Sequence, residues 1–195
     1  MAEKKQVKNI FLSASVPKPG REFYGTECVI AIREAVVALA SAVLANPEYH
    51  LIWGGHPSII PLIASVLERY NLKTSDRVTT YLSKHYRDHF PPENQDIGIR
   101  VLTEDMGDDK NSQRVMREKM LGDNEYVAAV FIGGMDGIFK EYEMFRELHP
   151  KALVLPIAPT GAAAKGLFDK YQGEFDERLL TELSYTSLFK EMLGL

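Results

Sequence analysis

The segment Tyr126 to Ile132 (YVAAVFI) constrains the fold more than any other, because it is uninterruptedly apolar. A strand with one wet face alternates polar and apolar residues, so a run of this kind belongs in a parallel sheet covered by helices on both sides. Gly133-Gly134 closes the run, and a helical pattern follows through about Leu148. The unit reads strand, turn, helix.

The same grammar recurs along the chain. Asn9 to Ser15 (NIFLSAS) reads as a strand running into Pro17, Pro19 and Gly20. From Thr26, a candidate N-cap, the residues Ile32, Val36, Leu39 and Val43 recur at helical spacing until Asn46-Pro47. Tyr49 to Trp53 is a second strand, Gly54-Gly55 a turn, and His56 to Tyr70 a helix with Pro57 near its first position. Val78 to Tyr86 and Ile97 to Leu102 read as two more strands, separated by the polar loop Arg87 to Asp96 with its Pro91-Pro92. Asn111 or Ser112 caps a helix to about Leu121, Ala152 to Ile157 is a sixth strand, and the chain from Gly161 onward is helical. The expectation is one domain over residues 1–195: an α/β, three-layer, Rossmann-like, doubly wound parallel sheet of about six to seven strands. No internal repeat, linker or low-complexity segment interrupts it.

Charge and composition exclude several roles. A net charge of −4 without a block of Lys or Arg argues against duplex nucleic acid as a partner, whereas a free nucleotide needs only two or three cations. No apolar run reaches the roughly 18 residues of a membrane span, and the polar start Met1 to Lys5 leads straight into a strand. The expectation is a cytoplasmic protein without a membrane partner. The single cysteine, Cys28, reads as a small core residue. His50, His56, His85, His89 and His149 lack metal-ligand spacing, so neither a metal nor a cofactor is expected, and no hydrolase triad or nucleophile elbow is visible. Phe23, Tyr24, Tyr81 and Tyr86 either stack on a base or pack the core and its edges.

In open α/β sheets ligands bind beyond the carboxyl ends of the strands. Ser13, Ser15, Gly54, Gly55, Gly133 and Gly134 all follow apolar strand runs and gather at that rim. Each glycine pair either permits a tight turn or lets a phosphate approach unpaired helix N–H groups. Neither pair fits the dinucleotide fingerprint or the P-loop, which disfavours a standard dehydrogenase or NTPase. Arg114 and Arg117, three apart and next to Met116 and Met120, are either solvated residues or cations of the site, and Arg21 in the Pro/Gly loop is a third candidate. Met135, Asp136 and Gly137 complete the turn, with Asp136 a turn residue or a ligand group. Glu141 is either a favourable charge at a helix start or a carboxylate that meets a sugar. His56, after the second glycine pair, either faces the ligand or packs locally.

This constellation resembles the SLOG, or Lonely Guy/DprA-like, superfamily over most of the chain. The Lonely Guy enzymes, phosphoribohydrolases of nucleoside monophosphates, carry a helix Arg-Lys pair ahead of Pro-Gly-Gly-x-Gly-Thr-x-x-Glu. Arg117 precedes Gly133 by a similar interval, 133 − 117 = 16 positions. Three departures affect the phosphate cradle: Ile132 in place of the proline, an additional residue between Gly134 and Gly137, and Ile138 in place of the threonine. The stretches FLSASVP, WGGHP and GGMDGIFKEYEMF look closer to the SLOG modules associated with TIR and sirtuin domains in prokaryotic antiviral defence. That branch is associated with nucleotide-derived signals such as cyclic ADP-ribose isomers.

The resemblance implies binding or sensing of an ADP-ribose-like ligand by Ser13, Ser15, Arg21, Gly54, Gly55, His56, Arg114, Arg117, Gly133, Gly134, Met135, Asp136, Gly137 and Glu141. It also implies a homo-oligomer, a dimer or larger, and a separate effector protein. An N-glycosidase acting on nucleoside 5′-monophosphates, with Arg117 and Glu141 catalytic, is the alternative. An oligomeric interaction subunit without ligand is the third reading.

Overall fold

The structure is a computed structural model that describes residues 7–72, 76–91 and 97–195. The start Met1 to Lys5 and the Pro92 to Asp96 part of the polar loop lie outside the described residues. Six strands, β1 (Lys8–Ser15), β2 (Tyr49–Trp53), β3 (Val78–Ser83), β4 (Ile99–Thr103), β5 (Tyr126–Gly133) and β6 (Leu153–Ile157), form one sheet in the order β4-β3-β2-β1-β5-β6. Every neighbouring pair is parallel. The apolar run that opened the sequence reading is β5, flanked by β1 and β6 as its uniform hydrophobicity requires.

Helices α1 (Val29–Ala45) and α2 (Ile60–Arg69) cover one face; α3 (Asp109–Gly122), α4 (Gly137–Leu148) and α5 (Ala162–Lys170) lie chiefly over the other. Two short helices finish the chain, α6 (Arg178–Thr181) against β6 and the turn after it and α7 (Tyr185–Leu193) beside α1. The period of two in each strand divides the core. Ile10 and Leu12 of β1 with Ala128, Val130 and Ile132 of β5 join the α1/α2 cluster. Phe11, Ala129 and Phe131 join the cluster under α3 and α4. On that second side Phe11 packs against Tyr126, Phe131 and Phe145 with ring centroids 5.9 to 6.0 Å apart.

Several boundaries differ from the sequence reading, each for a local reason. The N-cap of α1 is Cys28, which is exposed rather than part of the core, while the Thr26 hydroxyl is spent on the Phe23 carbonyl. The helix after Gly54-Gly55 begins at Ile60, because His56 to Ile59 form a turn closed onto the His56 carbonyl. β3 stops at Ser83, whose hydroxyl accepts from the His85 amide and starts a 3-10 helix over Lys84–His89. His85 and His89 therefore sit on that helix and not on a strand. α3 is capped by Asp108, whose carboxylate accepts from the Asn111 amide, one turn before the expected cap at Asn111 or Ser112. Among the described residues no helix is long and apolar enough to cross a membrane.

Candidate functional site

The topology creates a crevice between β1 and β5. β1 leads into α1 on one face of the sheet and its neighbour β5 leads into α4 on the other, so the two connections diverge and leave the strand ends open. A cavity of about 530 Å³ occupies this place, bounded by the ends of β1, β2 and β3, by the 3-10 helix, and by α3 and the start of α4. That volume falls in the range of small-molecule sites.

The inward face of α3 carries one wall. Gln113, Met116, Arg117, Met120 and Leu121 follow the i, i+3, i+4, i+7, i+8 stripe of an amphipathic helix. All but Leu121 line the cavity. Arg117 Nε donates to Glu141 Oε1 at 2.9 Å, with both side chains 13% exposed. The other oxygen of Glu141 accepts from the Ser13 hydroxyl. Arg114 lies off the stripe, pairs with Glu118 one turn along at 2.7 Å, faces solvent, and does not border the cavity.

The Gly133-Gly134 turn does structural work. The Gly133 amide donates to Thr160 Oγ1 at 2.9 Å and the Gly134 amide to the Ser15 carbonyl at 2.8 Å, so neither donor is left for a phosphate. Both residues have positive φ, +59° and +86°, and neither borders the cavity. The next residues, Met135, Asp136 and Gly137, do border it. Among the described residues nothing accepts from the amides of Met135, Asp136 and Gly137, at the start of α4, where the helix dipole favours an anion. Gly137 also makes room for Arg117, whose Nη2 would stand 2.6 Å from a Cβ there. Arg21 reaches across to Asp136 at 3.3 Å, both about half exposed, and Lys18 and Lys140 complete a basic rim.

At β2, Gly54 lies under Met116, and a Cβ on Gly55, whose φ is +62°, would run into Thr80 and Leu82 at 2.6 Å. His56 borders the cavity with its Nδ1 2.8 Å from Ser58 Oγ. That hydroxyl accepts from the Val16 amide, and Nδ1 accepts from the Ser58 amide, so the ring proton belongs on Nε2. Burial, and then the charge of Lys18, push the His56 pKa down to about 4, which keeps the ring neutral at pH 7.

The far end of the crevice is aromatic. Trp53, 1% exposed, forms part of the floor and donates from Nε1 to Thr80 Oγ1 at 2.9 Å. Tyr86, Phe90 and Pro91 form the outer wall. Lys84–Glu104 at 2.6 Å and His85–Asp105 at 2.9 Å fasten the 3-10 helix to the segment after β4, and Gln113–Tyr86 at 2.7 Å fastens it to α3. Of the other aromatics weighed from sequence, Tyr81 is buried, Phe23 stacks on Phe139, and Tyr24 is exposed.

The structure therefore brings Ser13, Ser15, Arg21, Gly54, Gly55, His56, Arg117, Met135, Asp136, Gly137 and Glu141 to one cavity, and leaves Arg114, Gly133 and Gly134 off its surface. Sequence reading missed Lys18, Lys140, Asp109, Gln113 and Phe90. Gln113 was legible, since it stands four before Arg117 on the α3 stripe; Phe90 was hidden inside the stretch Arg87 to Asp96, read as a polar loop.

A parallel α/β sheet with its crevice at the switch point defines the class as Rossmann-like. The chain belongs to the SLOG cluster3 family, whose model matches residues 22–193. The fold is similar to the crystal structure of TM1055, target VT76 of the Northeast Structural Genomics Consortium. That similarity has a TM-score of 0.59 and 16% sequence identity over 89% of each chain. No curated protein matches the sequence.

Proposed function

We propose that the crevice binds a nucleotide-derived ligand of the ADP-ribose or cyclic ADP-ribose type and that the chain is a sensing module for it. The observation that carries this reading is the polarity of the cavity. Arg21, paired with Asp136, and Lys140 stand at the start of α4 with Lys18 near His56, and Trp53, Tyr86 and Phe90 form the other end. Anions settle at the first, flat apolar rings at the second. With Arg117 and Glu141 paired to each other and Asp109 held at the aromatic end by Gln113, Lys18, Arg21 and Lys140 face the carboxylate of Asp136, and the whole lining keeps an excess of one positive charge, four cations against three carboxylates.

Engagement of both Glu141 oxygens favours binding over turnover. Oε1 is held by Arg117 and Oε2 by Ser13, whereas an acid or base at a sugar needs an oxygen directed at the substrate. The second reading, N-glycosidic hydrolysis of a nucleoside 5′-monophosphate, is favoured by the presence of this Arg117–Glu141 pair in the cavity wall. Isothermal titration with ADP-ribose, its cyclic isomers, NAD and AMP separates the two. Saturable binding lost in Arg117→Ala, with no base released from AMP at high protein concentration, supports the sensor. Base release that disappears in Glu141→Gln supports the hydrolase. Heat changes absent with every ligand remove the sensor reading.

The sensing role includes a homo-oligomer and a separate effector in prokaryotic antiviral defence, as the family resemblance implies. Light scattering on eluted protein, with and without ADP-ribose, tests the first part: a monomer under both conditions excludes the assembly.

A further inference from the structure

We infer that Tyr86 and Gln113 read the base of the bound ligand and select adenine over hypoxanthine, an inference that rests on the nucleotide reading of the crevice. The geometry begins with the sheet. β3, which leads into the 3-10 helix, and β5, which leads into α4, are separated by β2 and β1, hence by three strand spacings or about 14 Å. An anionic group held at the start of α4 thus leaves room for a sugar before the aromatic wall is reached. What stands at that wall is in position to meet a base.

The hydrogen bonds at the wall fix its pattern. Gln113 Nε2 lies 3.1 and 3.2 Å from the two oxygens of Asp109 and 2.7 Å from the Tyr86 hydroxyl. An ionised carboxylate only accepts, so the atom facing Asp109 is the amide nitrogen and Gln113 Oε1 is the oxygen that remains. Tyr86 accepts from Gln113, which leaves its own proton to donate. Among the described residues nothing donates to Gln113 Oε1 and nothing accepts from Tyr86. Both side chains are half-buried and border the cavity.

Two linked groups thus offer one donor and one acceptor. Adenine presents the complement on a single edge, a ring nitrogen that accepts and an exocyclic amine that donates. Hypoxanthine presents the reverse, a ring N–H and a carbonyl oxygen, and meets donor with donor and acceptor with acceptor. Phe90 and Pro91 supply the apolar face against which a purine of either kind stacks.

Titration calorimetry with ADP-ribose, its hypoxanthine counterpart and ribose 5-phosphate tests the inference. Wild-type protein is expected to bind ADP-ribose about tenfold more tightly than the hypoxanthine ligand. Tyr86→Phe and Gln113→Leu should narrow that ratio by weakening the adenine ligand alone, and Phe90→Ala should weaken both purine ligands about equally. Melting curves verify that each variant is folded. Equal affinity of the wild type for the two purine ligands, or an unchanged ratio in both Tyr86→Phe and Gln113→Leu, overturns base selection while the pocket reading survives. Failure of all three ligands to bind overturns both.

Discussion

Arg117 on α3 and Glu141 on α4, 24 positions apart in sequence, meet at 2.9 Å with each side chain 13% exposed. Ser13 at the end of β1 holds the other oxygen of the same carboxylate, so one residue ties two helices and a strand together at the crevice. A carboxylate this far from water is costly unless compensated. Removing its cation should therefore affect the fold as well as the ligand.

Arg117→Ala is expected to destabilise the protein by about 3 kcal/mol, because it leaves Glu141 largely desolvated with only a hydroxyl for partner. Ser13→Ala should cost about 2 kcal/mol, the loss of one charge-assisted bond. Urea denaturation of Arg117→Ala, of Glu141→Gln and of the double variant Arg117→Ala/Glu141→Gln gives the coupling directly. A coupling energy of about 1 to 3 kcal/mol is expected, and additivity would show that the pair is ornamental to stability.

Gly133→Ala and Gly134→Ala test whether the double glycine is a structural turn or a phosphate cradle. An added Cβ on Gly133 meets the Ile32 side chain and stands 2.8 Å from the Ser15 carbonyl, and one on Gly134 meets Ile138, both at positive φ. Each substitution should lower stability by about 2 to 4 kcal/mol, through strain and collision together. At Gly137 a methyl group meets only the tip of Arg117, 2.6 Å away. Gly137→Ala should accordingly weaken ligand binding while shifting the melting temperature little. Calorimetric melts of the three variants rank them, and an equal loss at all three positions contradicts this division.

The sheet was legible because β5 and β2 carry its pattern in their own residues: an unbroken apolar run and a short apolar run, each closed by a glycine pair. Six strands, their all-parallel sense and the rim of the site follow from that grammar. The ends of helices were less legible, since Thr26 and Asn111 have capping side chains but Cys28 and Asp108 occupy the caps. In the site, Arg117 was visible through its register with Gly133, whereas Arg114 was overvalued because spacing of three suggests one side of a helix without saying which side is buried. The distribution of donors was not readable at all. That the Gly133 and Gly134 amides are consumed by Thr160 and Ser15 depends on contacts 27 and 119 positions away (160 − 133 and 134 − 15), which no local pattern contains.

Stability should depend on pH through His56. Its folded pKa lies near 4, below the ordinary 6.5, so between these values the unfolded chain binds the additional proton. Stability is then complete above pH 6.5 and declines as pH falls toward 4, by about 2 to 3 kcal/mol. His50, also held below its usual value, first by burial and then by Arg77, contributes in the same direction. Urea midpoints between pH 7.5 and 4.5 check the sign, and His56→Gln should flatten the profile. A wild-type midpoint that rises on acidification would contradict the neutral, buried ring.

The Arg21–Asp136 pair at the mouth, 3.3 Å apart and about half exposed, gives a prediction that separates affinity from stability. A surface pair of this kind contributes less than about 1 kcal/mol to folding, so neither Arg21→Ala nor Asp136→Asn should move the urea midpoint appreciably. Their effects on an anionic ligand should be opposite. Asp136→Asn removes a negative charge beside the α4 amides and releases Arg21, which should tighten ADP-ribose binding about threefold; Arg21→Ala should weaken it by a similar factor. Both changes should shrink as salt rises from 50 to 500 mM, because charges at the rim are screened over about a Debye length. Titrations can follow Trp53, the single tryptophan of the chain and part of the cavity floor. If Asp136→Asn weakens binding instead, the carboxylate holds a sugar hydroxyl rather than repelling the anionic group.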